Sequence, residues 1–171
     1  DEILKDRNPG SIHMNSFSTD TTAQLQVGLP DGVTGSSTYG MGLSAAKQQG
    51  MAGRVDRGDW KYGRILTDFM GGNWEAEKRW TGLRMDLLSL CGKARLELNR
   101  TLTAETMDDL ADHYGIDIPF NGRQLFLDAV NYMLAEGLQQ VGEFDYIDMV
   151  WIPNILGIIQ KKYDLLFVDE Y

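Results

Sequence analysis

Cysteine is almost missing from this chain: Cys91 stands alone among 171 residues. No disulfide within the chain is possible, which fits a reducing compartment. Long apolar runs are missing too. No stretch of ~18 apolar residues occurs, so no membrane-spanning helix is expected. The first ten residues, DEILKDRNPG, have neither an apolar h-region nor an initiating Met, and no signal peptide is expected there. His13 and His113 lie far apart without Cys or His neighbours, which excludes a zinc site of ordinary spacing. Nowhere does Gly-x-x-x-x-Gly-Lys-Thr/Ser occur, and the glycine-containing stretch GSSTYGMG lacks the lysine and helix-opening spacing of a phosphate loop.

Basic residues are scarce in one region only. Residues 101–171 hold 3 Lys/Arg against 13 Asp/Glu, whereas residues 1–100 hold 13 against 12. The formal net charge of -9 argues against a simple nucleic-acid coat protein. Within the first part, 47–100 holds 11 basic and 7 acidic residues, so a basic zone adjoins an acidic one. Two ordinary solvated faces account for this equally well.

What is present is enough for a core. The 43% hydrophobic content fits one domain, or one domain carrying a smaller insertion. SIHMNSF alternates and predicts a strand over 12–17; STDTTAQLQVGL predicts a short helix behind Ser18 or Thr19 as N-cap. PDG (30–32) is a turn, VTGSSTYGMG a short strand running into a loop, and LSAAKQQG a helix closed by Gly50. This alternation is that of an α/β domain with a parallel sheet. From about 59 to 142 the periodicity is helical throughout, in four segments beginning near Trp60, Trp74, Thr103 and Asn121. DMVWIPNILGIIQKKY then predicts a helix and turn, and DLLFVDEY a buried strand. Asp108, Asp109 and Asp112 are expected on a solvated helix face, Trp74, Trp80 and Trp151 in the core, and Trp60 at a solvated helix start, although the four basic residues around it in RVDRGDWKYGR also suit a nucleic-acid contact.

The strand DLLFVDEY ends in two carboxylates. A buried strand fixes its C-terminal side chains, and ligands of open α/β sheets bind at that edge. An aspartate there can hold Mg²⁺, and a neighbouring glutamate can orient or deprotonate a water that attacks a phosphate. This segment resembles the Walker B segment, motif II, of the UvrD/Rep-like superfamily 1 DNA helicases, with Asp169 and Glu170 on the acidic pair. FDYIDMVWIP (144–153) resembles the Asp-Phe-Asp-Asp-Met/Leu segment upstream of motif II. IHMNSFSTDTTAQL (12–25) resembles motif Ia, and GSSTYGMGL (35–43) resembles motif Ib. The helical block is similar in position to the inserted subdomain 1B. There are departures. The motif Ib histidine is replaced by Tyr39 or Gly40, and Asp20 or Thr19 stands where many relatives carry a basic or amide residue in motif Ia.

The resemblance implies a partial RecA-like parallel sheet (helicase domain 1A) over 1–58 and 143–171, with a 1B-like helical insertion over 59–142. It implies ATP and Mg²⁺ as cofactors, with Asp169 holding the metal and Glu170 as the catalytic residue. It implies contacts to single-stranded DNA or DNA junctions from Phe17, Ser18, Thr19, Thr38 and Tyr39. For Phe17, Ser18 and Thr38, a core, cap or turn role serves equally well. The expected setting is the cytoplasm of a bacterium or phage-infected host. The stretch is expected to begin just after motif I and stop inside motif II, and to be inactive alone. Two alternatives stay open: a non-catalytic helical interaction module, and another Mg²⁺-dependent P-loop phosphohydrolase using Asp169.

Overall fold

The computed structural model describes residues 24–25, 35–36, 38–56, 58, 60–71 and 82–159. The strands expected over 12–17 and 164–169, and the carboxylate pair Asp169 and Glu170, lie outside the described residues. The described part is mostly helical, with a small parallel sheet of two strands.

In chain order the elements are β1 (Gln24–Leu25), β2 (Gly35–Ser36), α1 (Thr38–Gln48), β3 (Arg54–Val55), α2 (Trp60–Phe69), α3 (Arg84–Leu96), α4 (Ala104–Tyr114), a 3₁₀ turn (Phe120–Gly122), α5 (Arg123–Gln139), β4 (Glu143–Phe144) and α6 (Asp148–Ile155). β1 pairs antiparallel with β2, and β3 pairs parallel with β4.

Several helix ends follow from local chemistry. Thr103 caps α4 through a reciprocal box with Thr106, so two N–H groups that the helix leaves unpaired are satisfied. Gly115 stops α4 in the left-handed region at φ 64, a conformation that costs glycine nothing. α5 starts two residues after Asn121, because a 3₁₀ turn intervenes. Asp109 and Asp112 are exposed and Asp108 is half-buried beside Arg123, as expected of a solvated face.

Three local expectations are corrected. Gln24–Leu25 is a strand rather than part of a helix. It pairs with β2, and the antiparallel ladder outweighs a weak N-cap signal. The stretch 38–42 is helix rather than loop, so α1 begins five residues before Leu43. The third correction is the β3–β4 pair, which the sequence does not announce. Outside the ladder it is extended by Ala52 N–H donating to the Val141 carbonyl at 2.8 Å and Asp56 N–H to that of Phe144 at 2.7 Å. It brings together the two ends of the helical block, 89 positions apart at Arg54 and Glu143.

Glycine in a helix costs about 1 kcal/mol relative to alanine, and α1 contains two, Gly40 and Gly42. Packing explains the second. α6 contains Pro153, which has no N–H to give to the Met149 carbonyl four residues earlier. That carbonyl faces α1, and a Cβ built on Gly42 would lie 1.7 Å from its oxygen. Only glycine lets α1 and α6 come this close. Gly42→Ala is therefore expected to lose about 1–3 kcal/mol of stability by overpacking. Gly82→Ala, with nothing within 4 Å of its Cβ, serves as the control. Equal thermal melting midpoints for the two variants would refute the close-approach account.

The core runs between these helices. α1 packs on α6 and α3 on α5, and the buried cluster draws Leu43 and Ala46 from α1, Met149 and Ile152 from α6, Leu87, Leu90 and Cys91 from α3, and Phe126, Val130 and Met133 from α5. Trp151 is fully buried, as expected, and its indole N–H donates to the Asn99 carbonyl at 2.8 Å. Asn131 of α5 holds the strand-like approach to α4, accepting from Leu102 N–H at 2.7 Å and donating to the Leu102 carbonyl at 2.9 Å.

Candidate functional site

The most heavily built polar group lies where α2, α3, α5 and the β4–α6 connection meet. Lys61, Asp148, Arg95 and Asp145 are all buried there. Lys61 sits on the apolar face of α2 with Tyr62, Ile65 and Leu66. Arg95 comes from the last turn of α3, Asp145 follows β4, and Asp148 opens α6.

Asp148 is the hub. Its Oδ2 accepts from Lys61 Nζ at 2.7 Å, and its Oδ1 accepts from the Tyr62 hydroxyl at 2.7 Å and Arg95 Nη1 at 3.0 Å. Arg95 Nη1 also donates to both oxygens of Asp145, at 2.9 and 2.7 Å. Asp145 Oδ1 in turn accepts the Asp148 N–H at 2.7 Å, one of the donors a helix start leaves unpaired. Lys61 spends a further donor on the Gly137 carbonyl at 3.1 Å. Gly137 carries no Cβ because one would lie 2.3 Å from the Tyr62 hydroxyl. The Arg95 guanidinium lies 3.6 Å above the Tyr62 ring, a cation–π stack. Two positive and two negative charges are thus buried in balance, as a dry site requires. Among the described residues, Arg95 Nε is the buried side-chain polar atom without a hydrogen-bond partner.

Such a cluster positions elements. Both Asp148 oxygens accept from donors of this chain that lie on other elements. Burial pushes the Asp145 carboxyl up from its ordinary value, against the pull of Arg95. Beside it, Asp56 is buried too and shapes the start of α2, accepting Gly58 N–H at 3.0 Å and Lys61 N–H at 2.6 Å. Arg84 ties α3 to α2 by donating to the Gly63 carbonyl at 2.8 Å and Thr67 Oγ1 at 3.2 Å.

None of these residues was singled out as a site from the sequence. One signal was readable: Lys61 falls on the apolar stripe of its helix, where a lysine must find a buried partner. Which partner it finds was not readable.

Of the residues expected to contact DNA, Thr38 opens α1 and Tyr39 follows it. Tyr39 is 40% exposed, and its ring stands edge-on to Tyr146 with centroids 6.2 Å apart. The segments 35–43 and 144–153 thus come together through Tyr39 against Tyr146 and Gly42 against Met149. Phe17, Ser18, Thr19, Asp169 and Glu170 lie outside the described residues. No group of three or more His, Cys, Asp or Glu able to hold a metal occurs among the described residues. No helix among them is long and apolar enough to cross a membrane.

No protein-family model, curated protein or solved structure matches the chain.

Cys91 lies in the core beside this cluster, and burial pushes its thiol up to about 12. The thiol therefore stays protonated in the folded protein at pH values where an unfolded cysteine, with an ordinary pKa of about 8.5, ionises. Alkylation by iodoacetamide at pH 9 is expected to proceed only at the rate of unfolding, and to become fast in denaturant. The same shift has a stability consequence. The folded state binds the proton more tightly than the unfolded state, so stability falls as pH rises above about 9 toward 12. Tyr62, also raised by burial, adds to that fall. Rapid labelling of Cys91 in native buffer would overturn the burial argument.

Proposed function

We propose that the chain is part of the first RecA-like ATPase domain, with its helical insertion, of a UvrD/Rep-like superfamily 1 DNA helicase or translocase. The observation that carries this reading is the packing of α1 on α6. α1 overlaps the stretch that resembles motif Ib and α6 the segment before motif II, about a hundred residues apart in sequence. The β3–β4 pair supports it from another side. An insertion that enters and leaves at one place needs its two ends close together, and the β3–β4 pair sets the two ends of the helical block side by side. The buried Lys61–Asp148–Arg95–Asp145 cluster then holds the block to the chain that leads toward Asp169.

In this reading Asp169 holds Mg²⁺, for which a carboxylate oxygen is a suitable hard ligand. The bound ATP–Mg²⁺ supplies the phosphoryl group and the charge that neutralises it. Glu170 orients and deprotonates the attacking water. Phe17, Ser18, Thr19, Thr38 and Tyr39 would contact the single-stranded DNA.

The coding sequence provides the first test. A Gly-x-x-x-x-Gly-Lys-Thr/Ser loop is expected within about forty residues upstream of Asp1, and Gln-Asp directly after Tyr171. The isolated 171 residues, which lack that loop, are expected to hydrolyse no ATP above background. A stop codon straight after Tyr171, or no such lysine upstream, would sink the reading.

A further inference from the structure

A further surface with nucleic-acid chemistry lies on α2 and the β3–β4 pair. α2 buries Lys61, Tyr62, Ile65 and Leu66 and turns Trp60 and Arg64 outward, one helical turn apart on the same face. Trp60 is 69% exposed. A tryptophan so open to water loses the burial that usually retains it.

Its ring is nevertheless held in place. A Cβ on Gly58 would lie 1.9 Å from the Trp60 indole nitrogen, so the indole rests over the bare Gly58 backbone. That backbone is itself fixed, its N–H donating to the buried Asp56. One turn along α2 from Trp60, Arg64 joins Arg54 on one carboxylate, Glu143. Arg54 Nε donates to Glu143 Oε1 at 2.7 Å, and the Arg54 and Arg64 side chains are 69% and 50% exposed. Two guanidiniums on one carboxylate leave a net positive charge. Exposed ion pairs of this kind contribute little to stability, so each arginine can turn to a phosphate at small cost.

We infer that Trp60, Arg54 and Arg64 form a contact surface for single-stranded nucleic acid, with a base stacked on the Trp60 indole and the two arginines on flanking phosphates. A fixed aromatic plane next to mobile positive charge is the combination that single strands need: stacking tolerates any base, and the arginines follow the backbone. The choice of a nucleic-acid partner rests on the helicase reading. The surface itself belongs to α2 and the β3–β4 pair, at the root of the helical block.

The test titrates the whole chain with oligothymidylate at several salt concentrations, following tryptophan fluorescence. Saturable quenching is expected. Trp60→Ala should weaken binding about tenfold, and Trp60→Phe, which keeps a π face, by less. The Arg54→Gln, Arg64→Gln double variant should lower the slope of log affinity on log salt by about 1.4, at about 0.7 per phosphate contact. Because Trp60 is largely exposed, Trp60→Ala should keep the parent melting temperature, which separates lost contact from lost fold. Unchanged affinity in folded Trp60→Ala overturns the proposal. So does a loss that follows Phe17→Ala but not Trp60→Ala, and that result would leave the helicase reading standing. Absence of any oligothymidylate binding also overturns it and hands the surface to a protein partner. Binding that depends on Trp60, in a longer gene product without DNA-stimulated ATPase activity, keeps this surface and discards the helicase.

Discussion

Asp148→Ala is expected to lower the unfolding free energy of the chain by about 3–5 kcal/mol, the range seen when one partner of a buried ion pair is removed. Lys61 Nζ would keep only the Gly137 carbonyl, and the Tyr62 hydroxyl would lose its acceptor. Arg95 would keep Asp145 alone, leaving two buried cations against one carboxylate. Lys61→Met should cost less. A methionine fills much the same apolar volume, and Asp148 retains Tyr62 and Arg95. The two effects should not add, because both remove one interaction. Urea denaturation reads this directly: the midpoint should fall with an unchanged slope. A midpoint within error of the parent protein for Asp148→Ala would show that the cluster does not hold the helical block.

The second large effect concerns chemistry in the longer gene product. There Glu170→Gln is expected to lower ATP turnover by about 10²–10⁴-fold, the usual contribution of a positioned general base. Glutamine keeps the shape and a hydrogen bond to water but cannot take its proton. KM for ATP should change little, since phosphate binding belongs to the loop expected upstream. Asp169→Asn should instead raise the Mg²⁺ concentration needed for half-maximal activity. Steady-state ATPase assays with and without single-stranded DNA distinguish these outcomes. Undiminished turnover in Glu170→Gln would remove Glu170 from the mechanism and favour the alternative of another Mg²⁺-dependent phosphohydrolase that uses Asp169.

The helices were legible in the sequence wherever their signals are local. α2, α4, α5 and α6 follow from apolar spacing, α4 from its Thr103–Thr106 box, and the stop of α1 from Gly50. Trp151 was legible as core from its apolar setting. The start of α1 was not. Two glycines read as a loop, and only the proximity of the Met149 carbonyl explains Gly42 inside a helix. β3 and β4 were illegible because each has two residues, too few for an alternating pattern.

The sequence alone determined what depends on neighbours within one or two turns: helical periodicity, caps, the lack of any internal disulfide and the shift from a basic to an acidic region. Tertiary structure decided what depends on residues far apart. Lys61 and Asp148 are 87 positions from each other, and Arg95 and Asp145 are 50. Read locally, each is one more charged residue destined for water. Packing removes that water from all four at once, and a charge stripped of water must find its opposite, so the burial of one fixed the positions of the others.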